Sequence, residues 1–473
     1  MAFQSLSFFA FLAVTAAATL TAGRVSRRAA MGLLTLAGCL FCLWPMTGRT
    51  WLGFGVLALG MAVTHLAAGR IRTGSRRAFR AAVVWHVAVL LAFKYLHFFT
   101  GGAIGPAWAP LGLSFFTFQQ IWYLKDVHDG RAERSDGLAF CLYSLFFPTL
   151  TSGPILRPGA FFPQLGEGKF LRPDGQDFAA GLYAICLGTA KKVLLADSLG
   201  VIVNNGWSRI GDLSTPAAWL VILGYTFQLY FDFSGYCDMA AGVARLLGVR
   251  LPVNFNSPYR STSMVEFWKR WHMTLTAFLR ECVYFPLGGS RGGAWRTCRN
   301  ILIVYLVSGL WHGAGWTFIL WGLLHGLAQV AERQLGERRE RLPVWLRWCV
   351  TFAFVNLAWV FFRAPDVSSA LEVLTAAVTG GFGKADAWLL EGLFSKEIGA
   401  VGLLLPALKP WGSLLRVGLL YGAGALAAFW PRNVIAAMEN FRPTVWRAAA
   451  LTVLTVWSVL SFTGITTFIY SNF

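Results

Sequence analysis

The chain has 473 residues, of which 56% are hydrophobic, 15% aromatic and 13% charged, with a mean hydropathy of +0.56. Soluble domains carry about 25% charged residues, so the polar exterior that a soluble protein of this size needs is missing. Disorder, collagen and a disulfide-stapled secreted scaffold are excluded as well, and a multi-span membrane protein is left. The net charge of +19, from 41 Lys and Arg against 22 Asp and Glu, sits mostly in short Arg clusters between apolar runs. That pattern belongs to cytoplasmic loops of membrane proteins rather than to a nucleic-acid binder. Anionic lipid headgroups or a phosphate-bearing donor are the expected partners.

Apolar windows long enough to span a bilayer fall near 4–22, 29–46, 51–69, 79–99, 109–123, 137–156, 177–196 and 215–240. Others fall near 300–330, 345–362, 399–406 with 413–430, and 446–466. The first has no basic start and is followed by Arg24, Arg27 and Arg28, so it reads as an uncleaved span. Cys39 and Cys42 form a CxxC, but inside an uncharged apolar run where neither redox chemistry nor zinc is expected. Arg70, Arg72, Arg76, Arg77 and Arg80 lie between the third and fourth windows, whereas the loop around Arg49 is nearly neutral. The alternation predicts an extracytoplasmic N-terminus. Arg432, Arg442 and Arg447 before the last window predict an extracytoplasmic C-terminus as well.

Two segments break the pattern. Residues 146–163, FFPTLTSGPILRPGAFFP, are apolar but crowded with Pro and Gly, as expected of a broken or re-entrant segment held by surrounding protein. Residues 250–300 carry Lys269, Arg270, Arg280, Arg291, Arg296 and Arg299 among Phe, Trp and Leu, and read as helices lying at the cytoplasmic interface.

Ionisable groups inside spans are costly and therefore functional candidates. Asp232 and Asp238 in YFDFSGYCDM fall about 240° apart on a helix, so they do not form a paired-carboxylate site. They are expected to position a partner helix or a histidine. His272 in FWKRWHMTL has basic neighbours and is placed at the cytoplasmic access, as a functional or a merely interfacial residue. His312 in GLWHGAGW lies roughly 18–20 Å along its helix from Arg299, near the bilayer middle. It is flanked by Trp311 and Trp316, and Gly309 with Gly313 allows another backbone to approach. It reads either as a packing residue bonded to a carbonyl or as a general base, for which imidazole is suited near neutrality. His325 lies about 220° further around a continuous helix, so it is expected to be structural unless that helix breaks. No phosphate-binding loop, GxSxG, HExxH or CxxC pair occurs, and no internal repeat supports a transporter.

The motifs SGPILRP, YFDFSGYCDMA, FWKRWHMTL with LRECVYFPLGG, and SGLWHGAGWTFILWGLLHG together resemble the membrane-bound O-acyltransferase family, nearest its bacterial alginate O-acetyltransferase-like branch. They span about 150–330, VNLAWVFFRAPD at 355–366 extends the match, and residues 1–473 read as one membrane-embedded domain. The resemblance implies an all-α polytopic fold, a ring of about 11 or more transmembrane or re-entrant helices around a central funnel. It places the catalytic histidine at His312 and the second family position at His272, with Trp311, Trp316, Arg270 and Asp232 as expected substrate contacts. It also implies an acyl thioester substrate, acetyl-CoA or an acyl carrier, with no metal and no permanently bound cofactor. FIYSNF at 468–473 is similar to the family's C-terminal FxYxxF pattern, which implies that Tyr470 is a relay for the acyl group; Ser471 and Asn472 depart from the usual Phe and Gln, and the alternative reading of the hexapeptide is an aromatic anchor at headgroup level. The expected activity is acetyl transfer across the inner membrane to an extracytoplasmic polysaccharide such as alginate, completed by a periplasmic acyltransferase partner. D-alanyl transfer to a cell-envelope polymer is the alternative within the class, and a transporter or channel the alternative outside it.

Overall fold

The computed structural model describes residues 3, 5–106, 108–382, 387–394, 412–430, 432–462 and 469, and among them all regular structure is helical. The first part of the chain forms α1 (Leu6–Val25), α2 (Arg27–Leu43), α3 (Gly48–Arg72), α4 (Arg76–Lys94), the one-turn α5 (Leu96–Phe99) and α6 (Leu113–His128). The middle forms α7 (Gly137–Ser144), α8 (Phe147–Leu150), α9 (Pro158–Gly166), α10 (Gly175–Ala190), α11 (Ser198–Ser208) and α12 (Thr215–Leu246). Then come α13 (Met264–Arg270), α14 (Met273–Leu279), α15 (Gly293–His312), α16 (Trp316–Leu335) and α17 (Glu337–Glu340). The last part holds α18 (Val344–Arg363), α19 (Val367–Thr379), α20 (Gly412–Phe429), α21 (Val434–Glu439) and α22 (Val445–Leu460). Among the described residues, five helices are long and apolar enough to cross a membrane: α1, α3, α10 continued through α11, α18 and α20.

Local chemistry sets the starts of the N-terminal helices. Ser5, Ser26, Thr47 and Ser75 each accept the otherwise free amide of the third residue of the helix that follows. Arg24, Arg70 and Arg72 sit in last turns, where the helix dipole favours cations.

The expected broken segment at 146–163 is observed. It holds only the single turn α8 before α9, and side chains from elsewhere satisfy its backbone. The Tyr143 hydroxyl donates to the Leu156 carbonyl at 2.8 Å, and the Ile155 amide donates to Thr274 Oγ1 at 3.1 Å. Arg157 donates to both oxygens of the buried Asp126, at 2.8 and 3.1 Å, and pairs with Glu281 at 3.2 Å.

Two expectations need correction. The window at 300–330 is not one helix: extended backbone at Gly313 and Gly315, each with φ −166°, separates α15 from α16. The two fold back on each other as a hairpin, and Gly309, expected to admit another backbone, meets α16 itself. A Cβ on Gly309 would lie 2.4 Å from the Phe318 carbonyl oxygen, and one on Gly322 would lie 2.4 Å from that of Tyr305. The segment 250–300 does not merely lie at an interface. Lys269, Arg280, Arg291, Arg296 and Arg299 are exposed as expected, but Trp268, Trp271, His272 and Leu275 are buried in the core. Residues 399–406 and Tyr470 lie outside the described residues.

The hairpin crossing yields a test. Gly322→Val would place a Cβ bearing two methyl groups against the Tyr305 carbonyl and the Gly309 Cα. A destabilisation of about 1–3 kcal/mol, the usual cost of overpacking, is expected as a lowered melting temperature of the detergent-purified protein, whereas Gly32→Ala, at an open position of α2, should shift it less.

Candidate active site

The break after α15 places His312 at the C-terminal end of a helix whose last carbonyls have no intrahelical donor. Lys94, the last residue of α4, supplies one: its Nζ donates to the carbonyl of Trp311 and, at 3.2 Å, to that of His312. A cation at a helix C-terminus is favoured by the dipole. The His312 side chain is 3% exposed. Its ring centroid lies 5.0 Å from that of Trp321 and 5.1 Å from that of Phe362.

His272 reaches the same chamber from the turn between α13 and α14. Its backbone is left-handed, with φ 43°, a conformation uncommon for residues other than glycine. The ring is fully buried, edge-on to Phe233 at 4.8 Å and 6.0 Å from both Phe115 and Trp311. Asn254 holds it. Asn254 Oδ1 accepts from the Thr274 amide at 3.2 Å and lies 3.2 Å from His272 Nδ1. A backbone N–H only donates, so the atom facing it is the amide oxygen, and His272 Nδ1 is therefore the protonated nitrogen. In the neutral ring Nε2 then carries the lone pair, and it has no hydrogen-bond partner among the described residues. A nitrogen presented this way accepts a proton without a change of tautomer.

Trp311 lies between the two imidazoles, 4.7 Å from His312 and 6.0 Å from His272 between centroids. The hairpin brings in a third. Trp321 lies 5.0 Å from His312 and 4.8 Å from His325, so the broken helix places His325 near the chamber, as its expectation allowed. His325 Nδ1 accepts from the Trp268 indole N–H at 3.3 Å and is enclosed by aromatic rings, the structural setting that was expected.

The remaining predicted contacts are not all brought together. Trp316 is 67% exposed at the start of α16, with Phe98 at 6.5 Å, and it does not wall the chamber. Arg270 is half-buried and folded into local structure, pairing with Glu266 at 2.9 Å and donating to the Asn256 carbonyl at 3.2 Å. Asp232 and Asp238 each pair with a lysine of the turn after α10. Lys192 meets Asp232 at 2.7 Å and Lys191 meets Asp238 at 2.6 Å. The carboxylates thus tie α12 to the turn after α10, one of the two positioning roles expected for them, and Asp232, also expected as a substrate contact, is engaged by Lys192.

Sequence reasoning missed Lys94, Asn254, Lys191 and Lys192. Lys94 reads as an ordinary end-of-span anchor, and Asn254 sits in an extended segment with no period. The lysine pair had a usable signal: two cations inside one apolar run face two anions inside another, and buried charges pair.

A chain whose described regular structure is all helical, with five span-length apolar helices among the described residues and buried histidines packed among aromatic rings, is a polytopic membrane protein. Residues 131–365, which include every wall of that chamber contributed by α12 to α18, match the model of the membrane-bound O-acyltransferase family. The chain belongs to this family. It is 39% identical over 335 residues to the peptidoglycan O-acetyltransferase of Helicobacter pylori, covering 63% of each chain. It is 36% identical over 366 residues to the probable alginate O-acetylase of Pseudomonas aeruginosa, covering 74% of this chain and 70% of that one. It is 27% identical over 274 residues to the teichoic acid D-alanyltransferase of Bacillus subtilis, covering 53% of this chain and 68% of the relative. The chain thus spans less than two thirds of the first relative's length and somewhat more of the other two.

Asn254 generates the prediction here. Asn254→Ala leaves the His272 Nδ1–H and the Thr274 amide without their acceptor, so a loss of about 1–3 kcal/mol is expected. Chemical or thermal unfolding of the purified protein measures it.

Proposed function

We propose that this protein is an O-acyltransferase that takes an acetyl group from a thioester at the cytoplasmic face and passes it to an extracytoplasmic polysaccharide through an ester on Tyr470. The observation that carries the reading is the buried imidazole pair, His272 with its Nε2 unprotonated and His312 across Trp311, inside the segment that matches the family. The exposed arginines between Arg280 and Arg299 form a basic face suited to a donor's phosphates. A nucleophilic phenol has an ordinary pKa near 10 and needs a base at neutral pH. An imidazole takes the phenol proton as the oxygen attacks the thioester carbonyl. The carbon–sulfur bond breaks, and the thiolate recovers the proton as it leaves. The tyrosine ester is then attacked by a sugar hydroxyl, and phenol is the better leaving group of the two alcohols. A periplasmic acyltransferase partner delivers the group, and both termini lie outside.

Acetyl is favoured over D-alanyl because the relatives named as acetylating proteins match at 36–39% over more of this chain than the D-alanyltransferase does at 27%. Those relatives are named for different polymers, alginate and peptidoglycan. That difference supports an acceptor chosen outside this chain, with the polysaccharide left general.

His312→Ala and His272→Ala are each expected to abolish acyl transfer, by about a hundredfold or more, while purifying like the unaltered protein. Near-normal transfer by either variant removes that residue from the mechanism. Tyr470→Phe keeps the ring and deletes the hydroxyl. Loss of polymer acetylation, with an acetyl adduct on the unaltered C-terminal peptide by mass spectrometry, is the expected result, and full activity of this variant rules out the relay. Arg280→Glu should raise the donor KM with little change in melting temperature, and an unchanged KM places donor access elsewhere.

A further inference from the structure

A buried carboxylate in the middle of α12 has two partners of different kinds. Asp232 is 1% exposed. Its Oδ1 takes the Lys192 ammonium at 2.7 Å, and its Oδ2 accepts the backbone N–H of Ile469 at 2.9 Å. Ile469 is separated from Asp232 by most of the C-terminal half of the chain and immediately precedes Tyr470.

Packing between α10 and α12 builds the acceptor. A Cβ on Gly188 would lie 2.6 Å from the Gly235 carbonyl oxygen, and one on Gly235 would lie 2.7 Å from that of Gly188. This close approach is possible only without side chains. It brings the π-helical turn Lys191–Asp197 against α12, and turns of this kind recur at functional sites. Lys192 is 1% exposed and is shared between Asp232 and Asp197, each at 2.7 Å. Lys192 therefore neutralises Asp232 from one side and leaves the other oxygen to the amide. A hydrogen bond to an ionised acceptor is roughly twice as strong as a neutral one, and an amide buried here without an acceptor costs about 1–3 kcal/mol.

The path of the chain makes the contact informative. Phe462, just past α22, stacks on Phe9 of α1 at 6.5 Å and packs against the small cluster of Ala190, Val193 and Leu194. Ile469 lies instead against the main core, at a carboxylate closed to solvent. Ile469 is therefore seated within the bundle. The helix that carries the anchor also contributes to the histidine site, because Phe233, the residue after Asp232 on α12, meets the His272 ring at 4.8 Å.

We propose that Asp232, held by Lys192, is the anchor that docks the C-terminal segment in the bundle and so positions Tyr470 for acylation. Asp232 is a positioning residue and takes no proton in the reaction. The proposal rests on the relay reading for its purpose, but the anchor itself can be tested without it. An untethered tail would sample many arrangements, whereas a fixed one presents its phenol in a near-attack geometry.

The test uses the full-length protein in detergent, with hydrogen-exchange mass spectrometry and donor kinetics side by side. Ile469→Pro removes the N–H from the tail and leaves the bundle untouched; Asp232→Ala removes the acceptor. Slow exchange in the unaltered C-terminal peptide is expected, with protection lost in Asp232→Ala while peptides of α10 and α12 stay protected. In Ile469→Pro the neighbouring tail amides should lose protection in the same way. In both variants kcat should fall about a hundredfold with the donor KM unchanged, which a general loss of structure would not produce. Should Asp232→Ala fail to fold, Ile469→Pro carries the test alone. Tail protection that survives Ile469→Pro overturns the anchor. Lost protection with normal kcat overturns the positioning role. An active Tyr470→Phe protein whose tail is still protected would reject the relay and leave the anchor standing.

Discussion

The constraint on which the rest of this structure depends is the scarcity of solvent for its polar groups. With 13% of its residues charged, the interior must satisfy each buried ion and amide from within, since an unpaired one costs several kcal/mol. The arrangement of helices follows from that requirement as much as from apolar packing. Asp126 draws Arg157 into the broken segment, Asp232 and Asp238 draw the lysines of the π-helical turn onto α12, and Lys94 closes the end of α15. Each of these contacts joins elements far apart in sequence. Each also borders a stretch of backbone that could not otherwise stay irregular inside a membrane.

The histidine chamber is a product of the same economy. The left-handed turn at His272 is held by Asn254, whose oxygen also takes the Thr274 amide and the Thr274 hydroxyl at 2.9 Å. Thr274 in turn receives the amide of Ile155 from the broken segment. One network therefore fixes the tautomer of a buried imidazole and the path of the Pro- and Gly-rich loop beside it. Loss of either end would be felt at the other, as expected of a buried polar network that is specific only when complete.

Much of this was legible in the sequence, though unevenly. The class, the five spans long and apolar enough to cross a membrane, the irregular segment at 146–163 and the two histidines that meet at Trp311 could all be read from composition, periodicity and motif. The break at 313–315 could not be placed by hydropathy, because glycine and alanine leave the window apolar while the backbone leaves the helix. Treating 300–330 as one helix consequently left His325 on the wrong face and Trp316 beside His312. Side-chain direction was the other blind spot. Basic residues around His272 suggested an interfacial position, but Lys269 and Arg280 point outward and Arg270 folds onto Glu266, while Trp268, Trp271 and His272 fill the core. An amphipathic stretch reports which residues are polar, and tertiary packing decides how deeply its other face is buried.

The chamber's composition bears on why a relay residue would be needed at all. His272 and His325 are fully buried and His312 nearly so, and their nearest neighbours are Trp, Phe and Tyr rings. A hydrated sugar entering such a space would lose many hydrogen bonds for the few that the walls could return. The phosphates of an anionic donor would stay outside because of the cost of burying them, which leaves its thioester arm as the part that reaches the imidazoles. A tyrosine suits the same space, because its body is apolar and only its tip is polar. On this argument the aromatic walls do more than exclude water from a thioester: they favour an acceptor with an apolar body over a hydrated sugar, which is the chemistry that the proposed relay would supply.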